Sequence, residues 1–434
     1  MSRTLCLCLL ALPGLLLLSG RACAERLSPL APKPDWSSLE AYQKTITRAE
    51  FTRLINQVYT PDGGFWDFAK IDDDRVVVYS DPARTEPLFT LHFAPNDAAC
   101  APLPYAYKTQ AVSKAPARPL KGIKIALDPG HIGGDWAKLE ARYFKLGDDP
   151  PVEEARLNMI TCERLAERLE ADGAKIIWAK RGYEPTTSLR PESLHREAIA
   201  ALALSGSHAS GYKPSYLFGI EKPRSSKHRS DQEAIETRID NEAALLFYRV
   251  AEIRARGAIV NQQHPDLTIC VHYNADDWGD DPDHPVLTAQ SRLVIFVNGA
   301  YERKNELPYD DYKYDLLRKL LDRTAAPEER GCALVGQEML DTFKYPPEDY
   351  VGYFAHHVTD VPSVYARDLL ANRIYHGPVI YCEGPYMNAR DAYYRIIAGD
   401  YLGMRVIQGR SYPSIYRDYA ASVERGVLKY FGVK

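Results

Sequence analysis

Four side chains in this chain have the type and the placement to hold and use one divalent cation: His131, Glu154, His272 and Glu383. Two neutral imidazoles and a carboxylate occupy three corners of a tetrahedral zinc site and leave the fourth for water. A separate carboxylate nearby then takes that water's proton. The chemistry this predicts is hydrolysis, with Glu383 as the catalytic base and His131, Glu154 and His272 as metal ligands. A single histidine at a strand end is ordinarily a packing or hydrogen-bonding residue, but two of them together with placed carboxylates reverse that balance.

These residues need a scaffold, and the sequence offers one. Short runs rich in β-branched residues at 123–128, 174–179, 267–271, 293–297 and 379–382 alternate with helical patterns, which predicts a layered, mostly parallel α/β sheet with helices on both faces. In such sheets ligands bind outside the carboxyl ends of the strands, where His131, His272 and Glu383 emerge. Glu154 competes with its neighbour Glu153. If a helix runs to Leu169, the residues Cys162, Leu165, Ala166 and Leu169 form a stripe against the sheet. At about 100° per residue, Glu154 falls at the edge of that stripe and Glu153 on nearly the opposite side, so Glu154 is the expected ligand. Gly173 follows as a C-cap.

A smaller α+β module precedes this sheet. Thr47-Arg-Ala-Glu50 is a capping box, and Phe51, Leu54, Ile55 and Val58 follow at helical spacing, so a helix is expected from near Arg48. Strands are expected at 76–79 and 88–93. Asp72, Asp73 and Asp74 read as a solvated turn rather than a calcium loop. Pro116 and Pro119 mark residues 113–121 as a linker. The expected organisation is an export signal at 1–24, the module at 25–112, and a catalytic domain at 122–434 with an insertion at about 184–243. Ile415, Tyr419, Val423 and Val427 predict a closing amphipathic helix.

The 434 residues are 45% hydrophobic and 26% charged, enough for a large core plus an accessory unit. Arg3, the apolar stretch 5–18 and Ala22-Cys23-Ala24 read as a secretory signal cut before Glu25; Gly20 and Arg21 are poor residues ahead of a lipidated cysteine. The expected location is periplasmic or secreted. No later apolar run is long enough to span a bilayer. Without residues 1–24, 52 basic residues face 58 acidic ones, a formal charge of −6, which gives no broad basic surface for nucleic acid. Five cysteines remain, an odd number that excludes a disulfide framework and leaves room for one bridge.

The motifs taken in order resemble the zinc-dependent N-acetylmuramoyl-L-alanine amidases, bacterial cell-wall hydrolases. Asp128-Pro-Gly-His131 is similar to their first motif, Glu154 with Asn158 to the second, and Arg181 follows the second strand as the family's arginine does. Arg256 to Asn261 leads into Ile269-Cys-Val-His-Tyr-Asn-Ala275, and Pro378-Val-Ile-Tyr-Cys-Glu-Gly-Pro-Tyr-Met-Asn388 resembles the closing motif with its catalytic glutamate. The resemblance implies zinc as cofactor, peptidoglycan or a muropeptide as substrate, and cleavage of the amide between N-acetylmuramic acid and L-alanine of the stem peptide. It also leaves room for an envelope regulator of unknown identity. Cys270 stands where a serine is common, Ile132 displaces Gly133-Gly134, and Gly384-Pro-Tyr-Met replaces the usual Gly-Phe stretch, so the pocket walls are expected to differ.

Several residues keep two readings. Asp128 is either an acceptor orienting the first ligand or a cap of its own turn. Asn274 either binds substrate or fixes its loop. Cys270 shares strand parity with His272, and a small buried packing residue outweighs a thiol ligand or nucleophile. Trp278, inside the acidic loop Asp276 to Asp283, is a loop anchor before it is a sugar platform. The run Lys222, Arg224, Lys227 and Arg229 reads as a solvated loop, or as part of a cover over the crevice. The remaining histidines show no metal spacing. A noncatalytic envelope module that binds peptidoglycan or a partner, and a zinc amidase acting on another extracellular peptide, are the competing functions.

Overall fold

The computed structural model describes residues 26–111, 113, 115–207, 231–350 and 355–433. The export signal expected at 1–24, and the basic run from Lys222 to Arg229, lie outside them.

The first helix, α1 (Arg48–Leu54), begins where the capping box puts it, with the Thr47 hydroxyl accepting from the Glu50 amide. It passes through a π turn (Ile55–Tyr59) toward a three-stranded antiparallel sheet of β1 (Ala69–Ile71), β2 (Arg75–Tyr79) and β3 (Pro87–His92). Asp72 to Asp74 form the β1–β2 turn. Strand β1 was not anticipated, because three residues are too few to show a period.

A second sheet has seven strands: β4 (Lys124–Pro129), β7 (Lys175–Trp178), β8 (Leu267–Tyr273), β9 (Val294–Val297), β10 (His356–His357), β11 (Val364–Ala366) and β12 (Val379–Gly384), while β5 (Tyr143–Phe144) and β6 (Val152–Glu153) make a separate small hairpin. The order is β10-β11-β9-β12-β8-β4-β7, parallel except where β12 meets β9 and β10 meets β11. The expected mostly parallel α/β sheet is present.

Strand alternation splits the core in two. Ile125, Leu127, Ile269, Val271, Ile380 and Cys382 face α2 (Glu154–Ala171), α7 (Ala325–Phe343), α9 (Arg390–Ile397) and α10 (Ile415–Tyr430). The predicted stripe on α2 and the predicted stripe on α10 are both buried in this layer. Ala126, Cys270, Val379 and Tyr381 face the other way, toward α5 (Glu252–Gln263) and α8 (Leu370–Ile374). Within the insertion, α3 (His195–Ser207) packs on α4 (Asp231–Leu245), which continues through a π turn (Leu246–Ala251) into α5. That layer is pinned by Ile132, the residue beside His131, which is buried with Leu194, Ala198, Ala243 and Phe247.

The N-terminal sheet shares its core with α6 (Asp310–Leu321): Phe51, Phe65, Val76, Val78 and Leu91 are buried with Leu316, Leu317, Leu320 and Leu321. No helix among the described residues is long and apolar enough to cross a membrane. All five described cysteines are free.

Candidate metal centre

Three separate stretches deliver the cluster. His131 leaves the carboxyl end of β4 in the left-handed region (φ 63°), a conformation that costs a non-glycine residue energy and is held here by its surroundings. Its carbonyl accepts from Arg256 Nη2 at 2.8 Å, and the carbonyls of Pro129 and Ile132 accept from Arg256 Nη1 (3.0 Å) and Lys180 Nζ (3.1 Å). Two buried cations thus grip one loop. Arg256 is itself fixed between Glu252 (2.8 Å) and Asp128 (3.0 Å). Gly130 must be glycine, since a Cβ there would collide with the His272 ring.

Glu154 is the first residue of α2, where the free amide ends favour a carboxylate. It is 2% exposed, whereas Glu153 ends β6 and is only half-buried. Glu154 Oε2 lies 3.1 Å from His131 Nε2, and Oε1 lies 3.1 Å from His272 Nδ1. Candidate donor atoms of His131, Glu154 and His272 all lie within 4.8 Å of one another. Arg142 Nε also reaches Glu154 Oε2 at 3.1 Å. Asn158, one turn along α2, donates to the Gly130 carbonyl at 3.1 Å and ties the helix to the His131 loop.

Glu383 sits directly across from His272 in the parallel β8–β12 pairing, so both project from the same face and the same edge. Burial and the charge of Glu154 push its carboxyl up to about 8. Burial alone would depress His131, but Glu154 and Glu140 outweigh it and raise the imidazole to about 9. His272 is lowered by burial, and the two histidines hold Glu154 well below the usual carboxylate range despite burial. Burial works against every charge here, and the neighbouring carboxylates keep protons on His131 and Glu383 while the imidazoles keep Glu154 ionised. A dication held by His131, Glu154 and His272 would take the place of those protons. Two imidazole nitrogens and a carboxylate oxygen, three donors in all, fit zinc.

Two sequence expectations resolve into different jobs. Asp128 does not touch His131; its carboxylate accepts from Arg256 and from the Tyr375 hydroxyl at 2.6 Å. The acceptor facing His131 is Glu140, whose Oε1 lies 3.4 Å from Nδ1. Asn274 turns into its own loop, its Oδ1 accepting from the Ala275 amide at 2.8 Å. Trp278 packs on Phe144 with ring centroids 5.2 Å apart, which makes it an anchor. Sequence reasoning missed Glu140, Arg142 and Tyr381. Tyr381 carried a usable signal, since it precedes Glu383 by one strand period. Glu140 and Arg142 lie in irregular chain and carried none.

Structural neighbours of the chain are N-acetylmuramoyl-L-alanine amidases. The amidase Ami1 from Mycobacterium smegmatis is 12% identical with TM-score 0.36, over 72% of this chain and 98% of that one. AmiC2 of Nostoc punctiforme is 14% identical with TM-score 0.35, over 72% and 99%. The CwlD amidase of Clostridioides difficile, solved in complex with the GerS lipoprotein, is 12% identical with TM-score 0.37, over 72% and 100%. No family model matches the chain, and no curated protein matches it.

Proposed function

We propose that this protein is a zinc-dependent amidase of the bacterial envelope that cleaves the amide between the lactyl group of N-acetylmuramic acid and L-alanine of the stem peptide. The observation that carries the reading is the meeting of His131, Glu154 and His272 within 4.8 Å, with Glu383 one strand away on the same face. His131, Glu154 and His272 would hold the ion. When bound, zinc supplies a polarised carbonyl and a water acidified toward neutrality. Glu383 receives the water's proton at its carboxylate and returns it to the departing amine, a double duty that suits a carboxylate with a raised affinity for protons. Arg256, Lys180 and Asp128 keep the His131 loop in its left-handed turn. Residues 25–112 serve as an accessory module joined through 113–121, and the protein works in the periplasm or outside the cell on peptidoglycan.

Incubating the purified protein with defined muropeptides, with and without a chelator, tests this. The expected products, read by mass spectrometry, are a peptide with a free L-alanine amine and a glycan with a free lactyl carboxylate. Their formation should stop with the chelator and return with zinc. Intact muropeptides after incubation of zinc-loaded protein would remove the reading. Glu383→Gln should keep its zinc and lose turnover.

A further inference from the structure

We propose that Glu140 and Tyr381 decide which nitrogen of each imidazole meets the cation, Nε2 on His131 and Nδ1 on His272, and are therefore positioning residues. The inference rests on the metal reading above and adds the chemistry behind the two ligand rings. A neutral imidazole carries one N–H and one lone pair, so a partner that accepts the N–H on one nitrogen commits the lone pair to the other. Such partners fix the ring and tune the metal it holds.

At His131 the partner is Glu140. Its carboxylate also accepts from the Ile132 amide at 3.1 and 2.9 Å and from the Gly133 amide at 3.4 Å, so it is fastened to the very loop that carries the histidine. An ionised carboxylate has no hydrogen to donate, and with Nδ1 3.4 Å away it draws the N–H to that atom. Nε2, 3.1 Å from Glu154, is then the nitrogen whose proton a cation would displace.

At His272 the arrangement is reversed. Nε2 lies 2.9 Å from the Tyr381 hydroxyl, and the two rings stack with centroids 4.7 Å apart and planes 16° apart. A cation on Nδ1, the nitrogen 3.1 Å from Glu154, would leave the ring hydrogen on Nε2, where the phenol oxygen is placed to accept it. Stacking sets the plane of the ring, and the hydroxyl holds the nitrogen that faces away from Glu154. Because Tyr381 lies one strand period before Glu383 on β12, a single strand delivers both the proton acceptor and the clamp on a ligand.

The test uses full-length protein loaded with zinc and labelled with 15N in its imidazoles. The expected spectrum shows one ring with zinc on Nε2 and hydrogen on Nδ1, and the other with the opposite pattern. In chelator competition, Tyr381→Phe, which retains the stacked ring, and Glu140→Gln should each weaken zinc binding by about 10–100-fold. Thermal melts of the metal-free variants report their folding. Two rings metallated at the same nitrogen would overturn the inference, and so would wild-type zinc affinity in Tyr381→Phe. Wild-type protein that takes up no zinc defeats the proposed function instead, which keeps the two failures apart.

Discussion

Two of the places where the protein buries ionised groups are completed differently. In the seam beside the N-terminal sheet, Lys319 Nζ meets Glu328 at 2.5 Å and the Gly377 carbonyl at 2.7 Å, and both side chains are fully buried. Lys313 Nζ meets Asp310 at 3.0 Å and the carbonyls of Leu307 (3.0 Å) and Ser80 (3.3 Å). Every charge there has an opposite charge and backbone partners. At the sheet edge, by contrast, Glu154 is shared by His131, His272 and Arg142, and His131 and the nearby Glu383 are both pushed toward keeping a proton. Removing one member of a closed network strands a buried charge, whereas strongly shifted groups gathered at a sheet edge mark a candidate functional site.

The largest expected effect breaks each region in turn. His272→Ala should abolish stoichiometric zinc binding and lower turnover by more than roughly 100-fold, beyond what losing an outer partner costs, while the fold survives. Lys319→Ala should do the opposite, costing about 3–5 kcal/mol of stability by stranding Glu328, with zinc content per folded molecule unchanged. Denaturant melts and metal analysis of the two variants check this together, and the comparison fails if both lose stability and metal alike.

Zinc itself should sharpen the contrast. Added at 100 times its dissociation constant, it should stabilise the protein by about 2.7 kcal/mol, an effect reversed by a chelator and missing in His272→Ala. Calorimetry with and without the ion reads it directly.

A smaller effect follows from Glu383. In the metal-free protein its carboxyl titrates near 8, above the roughly 4.3 of an unfolded chain, because burial and Glu154 oppose its charge. An acid whose folded value is raised gives full stability below the unfolded value and loses it as pH rises toward the folded one. Glu383→Gln should therefore melt higher than wild type at pH 8 and no higher near pH 4. An equal gain at both pH values would remove the carboxyl as its source.

What could be read from the sequence, and what could not, follows from range. The strand period put His272 and Glu383 on one edge, and the helical period separated Glu154 from Glu153, because both depend only on neighbours along the chain. The closing helix and the α2 stripe were legible for the same reason. Glu140 was not, since its task is set by a loop that folds back on Ile132 and Gly133. Asp128 kept two readings in the sequence, an acceptor for the first ligand or a cap of its own turn, and neither names Arg256, which arrives from α5, 128 residues away, and takes its carboxylate. The core shared between the N-terminal sheet and α6 was equally hidden, because it joins residues more than two hundred positions apart.

The smallest expected effect concerns a residue on the site's own face. Cys270 lies one strand period before His272, which makes a thiol ligand or nucleophile conceivable. It is fully buried, and burial with the nearby Asp128 charge pushes its thiol well above the usual value, so it stays protonated and unreactive. Its surroundings are Ala126, Val294, Phe296 and Tyr381, a packing layer rather than a crevice. Cys270→Ala should cost about 1 kcal/mol through the small cavity it opens and leave zinc content and turnover within about twofold. A larger loss of turnover at full zinc occupancy would draw Cys270 out of the core and into the chemistry, and the boundary between packed layer and reactive edge would have to move inward by one strand period.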